Sequence, residues 1–101
     1  MKIAFTEFGI SKFAEFFPSL GSAEGVWPWN PDRLDNWAAE FDRNENERHS
    51  ARYILQLWNP ATAWACGTFD ASEATKAWDT AHKEAYLTVA SKTSIQLNHL
   101  I

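Results

Sequence analysis

Apolar side chains recur at intervals of three and four residues in four segments of the chain, which is the period of an amphipathic α-helix. The first helix should end its regular part near Phe17, because Pro18 and Gly21 follow. The four apolar stripes are Ile10, Phe13, Phe17 and Leu20; Leu34, Trp37, Ala38 and Phe41; Ala51, Ile54, Leu55 and Trp58; and Ala74, Ala77, Trp78, Ala81, Ala85 and Val89. This pattern predicts a mainly α fold, a compact bundle of about four helices.

Residues that favour helix N-termini precede three of these segments. An Asn or Asp side chain accepts a free backbone N–H of the first turn, and a Glu three residues later completes a capping box. The predicted caps are Asn30 ahead of Pro31, Asn44 with Glu47, and Asp70 with Glu73. From the last of these caps, the fourth helix should run without a break to about Ser91.

The two ends of the chain have less regular patterns. Lys2 to Phe5 alternates like a short strand, whereas Ile95 to Ile101 fits either a strand or a helical turn. Short terminal strands that pair as a ribbon are one interpretation, and a helical tail is the other.

Length and composition predict one domain. A chain of 101 residues has room for a single helical domain, residues 1–101, and its 46% apolar content is that of an ordinary globular protein. The lone Cys66 has no partner for an internal disulfide, the first residues do not resemble a secretory signal, and no apolar run is long enough to span a membrane. These features predict a soluble protein of the reducing cytoplasm.

The net charge of −4 is concentrated between Asp32 and Glu47, while the acids and bases of the remaining chain are equal in number. Helix dipoles attract acids to first turns, but they explain Asp35, Glu40 and Asp42 less well, because these residues lie in or near the last turns of the second helix. A basic partner surface would compensate for such a cluster, whereas the lack of a basic stripe argues against direct binding of nucleic acid. We expect the following acids on a solvent-exposed face: Asp32, Asp35, Glu40, Asp42, Glu45 and Glu47.

Three of the six tryptophans, Trp27, Trp29 and Trp64, fall in predicted loops. Indole rings are over-represented at interface hot spots. They also close the ends of helix bundles, and Trp29 is placed to pack on Leu34 as a hydrophobic staple. Trp27 and Trp64 are therefore the candidate partner-binding rings, and the core should hold Trp37, Trp58 and Trp78.

Few residues suggest catalysis. Cys66 could act as a nucleophile with one of the three histidines as base, but its surroundings match no nucleophile motif, and a small buried thiol is the simpler interpretation. Asp79 and His82 share a helix face and could supply two metal ligands; a surface ion pair or hydrogen bond is the alternative, because no third ligand has a suitable spacing. We therefore expect no enzyme and no bound metal or cofactor.

Two stretches, residues 51–59 (ARYILQLWN) and the segment from Phe69 to Ala85, resemble small proteins carried by bacterial mobile elements and prophages. The resemblance implies a class of accessory proteins that includes anti-CRISPR-type inhibitors. Such inhibitors are short, frequently acidic proteins of the bacterial host cytoplasm that block a nucleic-acid-binding surface. The resemblance supplies no site residues, because this class shares no motif.

Together these features predict a small acidic interaction protein. Its partner would be a larger basic protein or ribonucleoprotein complex, contacted by the acids from Asp32 to Glu47 and by Trp27 or Trp64. One alternative is a structural homodimer that packs through the alanine-rich fourth helix. The other is a small-molecule-binding or metal-dependent enzyme that uses Asp79 and His82.

Overall fold

The computed structural model describes residues 5–99, with side chains described as far as Thr93. Within this range the chain forms five α-helices and one short 3-10 helix, and it contains no strand. The elements are α1 (Glu7–Glu15), the 3-10 helix (Pro18–Leu20), α2 (Pro31–Ala39), α3 (Glu45–Trp58), α4 (Ala71–Ala77) and α5 (Thr80–His99). The predicted mainly α fold is confirmed.

The predicted starts of α2 and α3 are confirmed by their caps. Asn30 Oδ1 accepts the Arg33 N–H at 3.1 Å. Asn44 and Glu47 form a complete capping box: Asn44 Oδ1 accepts from Glu47 N at 2.8 Å, and the Glu47 carboxylate accepts from Asn44 N at 2.9 Å. Two donors satisfied reciprocally fix the residue at which α3 begins.

The predicted long fourth helix is wrong, because the chain breaks into α4 and α5 at Trp78. Trp78 has an extended backbone (ψ 143°), and Asp79 then occupies the N-cap position of α5, where its carboxylate accepts the His82 N–H at 3.0 Å. An Asp within a helical pattern competes for backbone N–H groups in this way. The break leaves Ala77 and Ala81 exposed to solvent, whereas the rest of the predicted stripe is buried: Ala74, Trp78, Ala85 and Val89.

Helix α2 ends before Phe41, so the prediction that Phe41 is buried is wrong. Glu40 has an extended backbone (ψ 136°), and Phe41 in the following turn has 97% of its surface exposed. Two arginines bind carbonyls at this helix end. Arg43 Nε donates to Trp37 O at 2.9 Å, and Arg48 Nη2 donates to Glu40 O at 2.8 Å. These bonds stabilise the helix end without a Gly or Pro.

Helix α3 lies at the centre of the molecule, packed against α1, α2, α4 and the 3-10 helix. Its Ala51, Ile54 and Leu55 are fully buried. The neighbouring Tyr53 contacts Phe69, which precedes α4, and Tyr86 of α5. The ring centroids are 5.0 Å apart in both pairs. Large rings thus join several elements around α3, in a cluster that comprises Phe17, Tyr53, Phe69, Trp78 and Tyr86.

The segment between the 3-10 helix and α2 packs closely on the start of α2. Gly25 has a φ of +89°, and a Cβ atom there would lie 2.5 Å from both Asn30 O and Leu34 N. Asn30 N donates to Gly25 O at 2.7 Å, and Ser11 Oγ of α1 donates to Val26 O. The segment is therefore an ordered connection between α1 and α2.

The backbone of residues 95–99 belongs to α5, so the helical interpretation of the tail is correct as far as His99. Residues 2–4 of the other predicted strand, and residues 100–101, lie outside the described range. Among the helices of residues 5–99, none is long and apolar enough to cross a membrane.

Candidate functional site

Asp35 shows that the acidic segment is not a uniform exposed face. Only 8% of its surface is exposed, and its carboxylate accepts the backbone N–H groups of Ala65 at 2.9 Å and Cys66 at 2.8 Å. On α2 it lies one turn before Ala38 and beside Leu34, at the edge of the buried stripe. The prediction that Asp35 lies on a solvent-exposed face is wrong, because its oxygens satisfy two backbone donors inside the molecule.

Three further acids of the segment pair with the arginines that bind the end of α2. Glu40 and Glu47 both contact Arg43, with N–O distances of 3.3 and 3.6 Å, and Glu45 contacts Arg48 at 3.7 Å. Exposed pairs of this kind contribute up to about 1 kcal/mol each. These acids therefore have a role within the fold, although the Glu40 and Glu45 side chains keep 50% and 62% of their surface exposed.

The most exposed part of the segment is the turn after α2, which we name the Phe41 turn (residues 40–43). Arg43 N closes it by donating to Glu40 O at 3.1 Å. Glu40 and Asp42 are both exposed and lie on either side of the exposed Phe41 in the sequence. Asp42 and Asp32 make no ion pair within the described part of the chain. The turn thus displays an aromatic ring next to an unpaired carboxylate.

Trp27 lies at the surface, where 43% of its area is exposed, and its contacts are with α1. Its Nε1 donates to Glu15 Oε2 at 2.7 Å, and its ring meets the ring of Phe8 edge-on, with centroids 5.6 Å apart. Phe8 is itself 65% exposed. Trp27 and Phe8 therefore form an exposed aromatic pair whose contacts do not involve the acidic segment.

Trp64 is half-buried and lines a cavity of about 390 Å³ beside α3. Its Nε1 is buried and has no hydrogen-bond partner among the described residues. Arg52 lines the same cavity and donates from Nε to Cys66 O at 2.6 Å. Gly67 leaves room for this arginine, since a Cβ atom there would lie 2.9 Å from Arg52 Nη2. Trp64 is thus part of a cavity wall.

The other indoles divide between the core and its edge. Trp29 is buried and packs edge-on against Trp58, with ring centroids 5.3 Å apart. Trp58, which we expected in the core, is only partly buried. Trp37 and Trp78 are buried as predicted.

Cys66 is buried, as expected for a small apolar thiol. Burial, together with the neighbouring Asp35 carboxylate, raises the pKa of its thiol to about 12. The thiolate is the nucleophilic form, so a thiol that stays protonated at neutral pH is poorly suited to attack a substrate.

Asp79 and His82 interact as predicted, and Ser19 is a third member of the group. Asp79 Oδ1 lies 2.7 Å from His82 Nδ1, and His82 Nε2 lies 2.9 Å from Ser19 Oγ. The hydrogen bonds from His82 lower the pKa of Asp79. His82 is buried, not at the surface as we expected, and the described residues contain no group of three potential metal ligands.

The contacts run from Asp79 through His82 to Ser19, and the side chains of a hydrolase triad are linked in the same way. Here Ser19 Oγ lies within 3.4 Å of Asn46 O of α3 as well. The contacts occupy both imidazole nitrogens and join the start of α5 to the 3-10 helix. They are sufficient to explain why a polar group is buried at this position.

Besides the exposed pair of Trp27 and Phe8, two features of the described residues are not explained by the packing of the helices: the Phe41 turn and the cavity beside Arg52. The sequence pattern pointed to neither Phe41 nor Arg52 as a residue of a binding site. The helical period places Phe41 in a buried stripe, and Arg52 is one of several charged residues on α3 with no local signal that sets it apart. No protein-family model matches the chain, and no curated protein or solved structure matches it significantly.

Proposed function

We propose that the protein is a small acidic interaction protein whose Phe41 turn docks on a basic surface of a larger nucleic-acid-binding protein or ribonucleoprotein complex. The observation that carries this proposal is the 97% exposure of Phe41 between two exposed acids, Glu40 and Asp42. Fully burying such a ring under a partner contributes about 2 kcal/mol. The matching partner surface is an apolar pocket bordered by Lys or Arg.

The Phe41 turn has a defined backbone without a partner. The Arg43 guanidinium lies 4.3 Å from the centre of the Trp37 ring, donates to Trp37 O and contacts the Glu40 carboxylate. A turn that is already ordered loses little freedom when it binds, which favours its use as a docking element.

The remaining acids contribute unequally to this proposal. Asp32, at the start of α2, and Glu45 are exposed and add to the negative potential of the protein, which would attract a basic partner at longer range. Asp35 and Glu47 are committed to backbone donors of the protein itself. Trp27 with Phe8 stays a candidate contact on a separate element.

The most specific form of the proposal is a phage or mobile-element inhibitor of the anti-CRISPR type. It is supported by the resemblance of residues 51–59 and of the segment from Phe69 to Ala85 to proteins of such elements, and by the net charge of −4. In this form, Glu40 and Asp42 would occupy lysines and arginines that otherwise hold nucleic-acid phosphates.

Phe41→Ser and Asp42→Lys test the docking proposal. Immobilised wild-type protein captures partners from a bacterial lysate, and the affinity of each purified partner is then measured at low and high salt. We expect Phe41→Ser to raise Kd by about tenfold or more, because a buried aromatic anchor is lost. Asp42→Lys should raise Kd and weaken its dependence on salt, because one opposite-charge contact is lost.

Leu87→Ser is the matched control, because it removes another exposed apolar side chain, 65% exposed, from α5. Its Kd should equal that of the wild type. Unchanged affinity for both Phe41→Ser and Asp42→Lys would contradict docking through the turn.

The anti-CRISPR form has a test of its own: expression of the protein should restore transformation by a plasmid that a CRISPR system targets. Continued clearance of that plasmid would contradict the anti-CRISPR form and leave the docking proposal standing.

A second candidate is a structural homodimer that packs through α5, favoured by the exposed Leu87 on that helix. Light scattering at tens of micromolar separates the two candidates. A dimer that Leu87→Ser dissociates would support assembly through α5, and a monomer would contradict it.

A further inference from the structure

We infer that the cavity beside Arg52 binds a small anionic ligand, a carboxylate or phosphate carried on a flat ring. Its volume of about 390 Å³ lies within the range of small-molecule sites. It is bounded by α3 on one side and by the irregular segment between α3 and α4 on the other.

The lining of this cavity, over the part of the chain that the structure describes, carries one positive charge and no negative charge. Among the described residues that line it, Arg52 is the only ionisable one, in a protein whose net charge is −4. Arg52 is half-buried and makes no ion pair with any other described residue. Its Nε is bonded to Cys66 O, whereas Nη1 and Nη2 have no hydrogen-bond partner in residues 5–93. A guanidinium with two free amino groups pairs most strongly with a planar or tetrahedral oxyanion.

The guanidinium is held in place by the segment it contacts. Gly67 has a φ of +103°, a conformation that glycine adopts readily, and its missing side chain lets the guanidinium lie against the backbone. The bond from Arg52 Nε to Cys66 O then fixes the plane of the group. The free amino groups are therefore presented in one orientation.

The other polar groups of the lining favour a ligand rich in acceptors. Asn59 Oδ1 already accepts from Ala61 N at 3.1 Å, so the side-chain amide of Asn59 is left with its NH₂ donors. Trp64 Nε1 is buried and has no acceptor among the described residues, so its N–H signal reports on the cavity wall. The Trp64 and Phe69 side chains supply aromatic surface, which suits a flat ring next to the anionic group.

Two pairs of probes test this site: indole-3-acetate with the neutral indole-3-acetamide, and adenosine monophosphate with adenosine. The readout is the NMR signals of the Arg52 Nε–H and Trp64 Nε1–H groups during titration. We expect at least one anion to shift both signals and to bind about tenfold or more tightly than its neutral counterpart, less so at high salt. The tighter anion tells whether carboxylate or phosphate is preferred. Equal binding of charged and neutral probes, or no shift of the Arg52 signal at millimolar probe, would overturn the inference.

Variants locate the binding. Arg52→Gln should abolish the preference for anions. Arg33→Gln should keep it, because Arg33 is an exposed arginine of α2 that contacts Glu24 at 3.9 Å.

Thr68 is an exposed cavity residue, so Thr68→Glu and Thr68→Gln place a charged and a neutral side chain of equal length beside Arg52. Thr68→Glu should abolish binding and Thr68→Gln should not, which decides the matter even if Arg52→Gln fails to fold. Equal binding by these two variants would contradict a role for the Arg52 charge. Phe41→Ser should leave probe binding unchanged, so this test does not depend on the docking proposal.

Discussion

Asp35, Arg43 and Arg48 direct their charges at the backbone of the protein itself. Asp35 binds two N–H groups of the segment after α3, and both arginines bind carbonyls at the end of α2. Hydrogen bonds between a charged side chain and a backbone group are stronger than those between neutral groups, so few of them suffice to fix an irregular segment. Much of the charge in the acidic segment from Asp32 to Glu47 therefore serves to stabilise the fold.

Asp35→Ala should lower the free energy of unfolding by about 3 kcal/mol, because it removes two charge-assisted hydrogen bonds and leaves two N–H groups without a partner. Asp35→Asn should fall between wild type and Asp35→Ala, because it keeps an acceptor oxygen. The measurement is urea denaturation followed by circular dichroism. Asp32→Ala is the control: this exposed residue lies in the first turn of α2, and its loss should cost only about 0.5 kcal/mol. Equal losses for Asp35→Ala and Asp32→Ala would show that the Asp35 bonds contribute little.

The helices differ in how much of their extent a sequence pattern can predict. The starts of α2, α3 and α4 depend on caps that act within three residues, so they could be predicted. The end of α2 depends on residues from other parts of the chain, and the break before α5 combines a local cap, Asp79, with such long-range contacts. Arg48 reaches back from α3 to Ala38 O, and Trp78 packs its ring against Phe69 and donates to Ser50 Oγ. A helical period contains no information about such contacts, so Phe41 and the α4–α5 break were predicted wrongly.

The segment before α2 packs closely around Gly25, which leads to a testable prediction. Gly25→Ala should lower the free energy of unfolding by about 3 kcal/mol, since the new methyl group would meet Asn30 O and Leu34 N in a backbone conformation that alanine disfavours. Thermal denaturation measures the effect. Gly21→Ala is the matched control, because its nearest contact would be Pro18 O at 4.0 Å and its φ is ordinary. A Gly25→Ala variant as stable as Gly21→Ala would contradict the close packing on α2.

Over the whole molecule, the fold class could be predicted from periodicity, whereas only part of the candidate sites could be, namely the exposed acids Glu40 and Asp42. Helical stripes are a local property, and their sum gives a mainly α domain. The cavity arises only where Arg52 meets a carbonyl 14 residues further along the chain. The exposed Phe41 arises only because a helix stops early. Both sites are consequences of tertiary contacts, which a single sequence does not display.

Burial of ionisable groups makes the whole domain sensitive to alkali. The thiol of Cys66 has its pKa raised from 9.0 to about 12, and the Tyr53 hydroxyl from 10.0 to about 12, both chiefly by burial. Between these values the unfolded chain releases protons that the folded chain retains, so the free energy of unfolding should fall as pH rises above 9.0 toward about 12. Urea denaturation across this interval measures the slope. Cys66→Ala should reduce the slope to the part due to Tyr53, and an unchanged slope in Cys66→Ala would contradict the thiol's contribution.

The bond between Asp35 and Cys66 joins residues 31 apart in the sequence. Closing a loop of that length costs about 3 kcal/mol of conformational entropy, as much as one or two such bonds contribute, so we expect the bond to form after α2 and α3 have come together. The segment around Cys66 should therefore become ordered late in folding, after the rate-limiting step. Weakening the hydrogen bonds that hold this segment would accelerate unfolding and leave the folding rate nearly unchanged. An anion bound by Arg52 would instead slow unfolding and so prolong the lifetime of the native state.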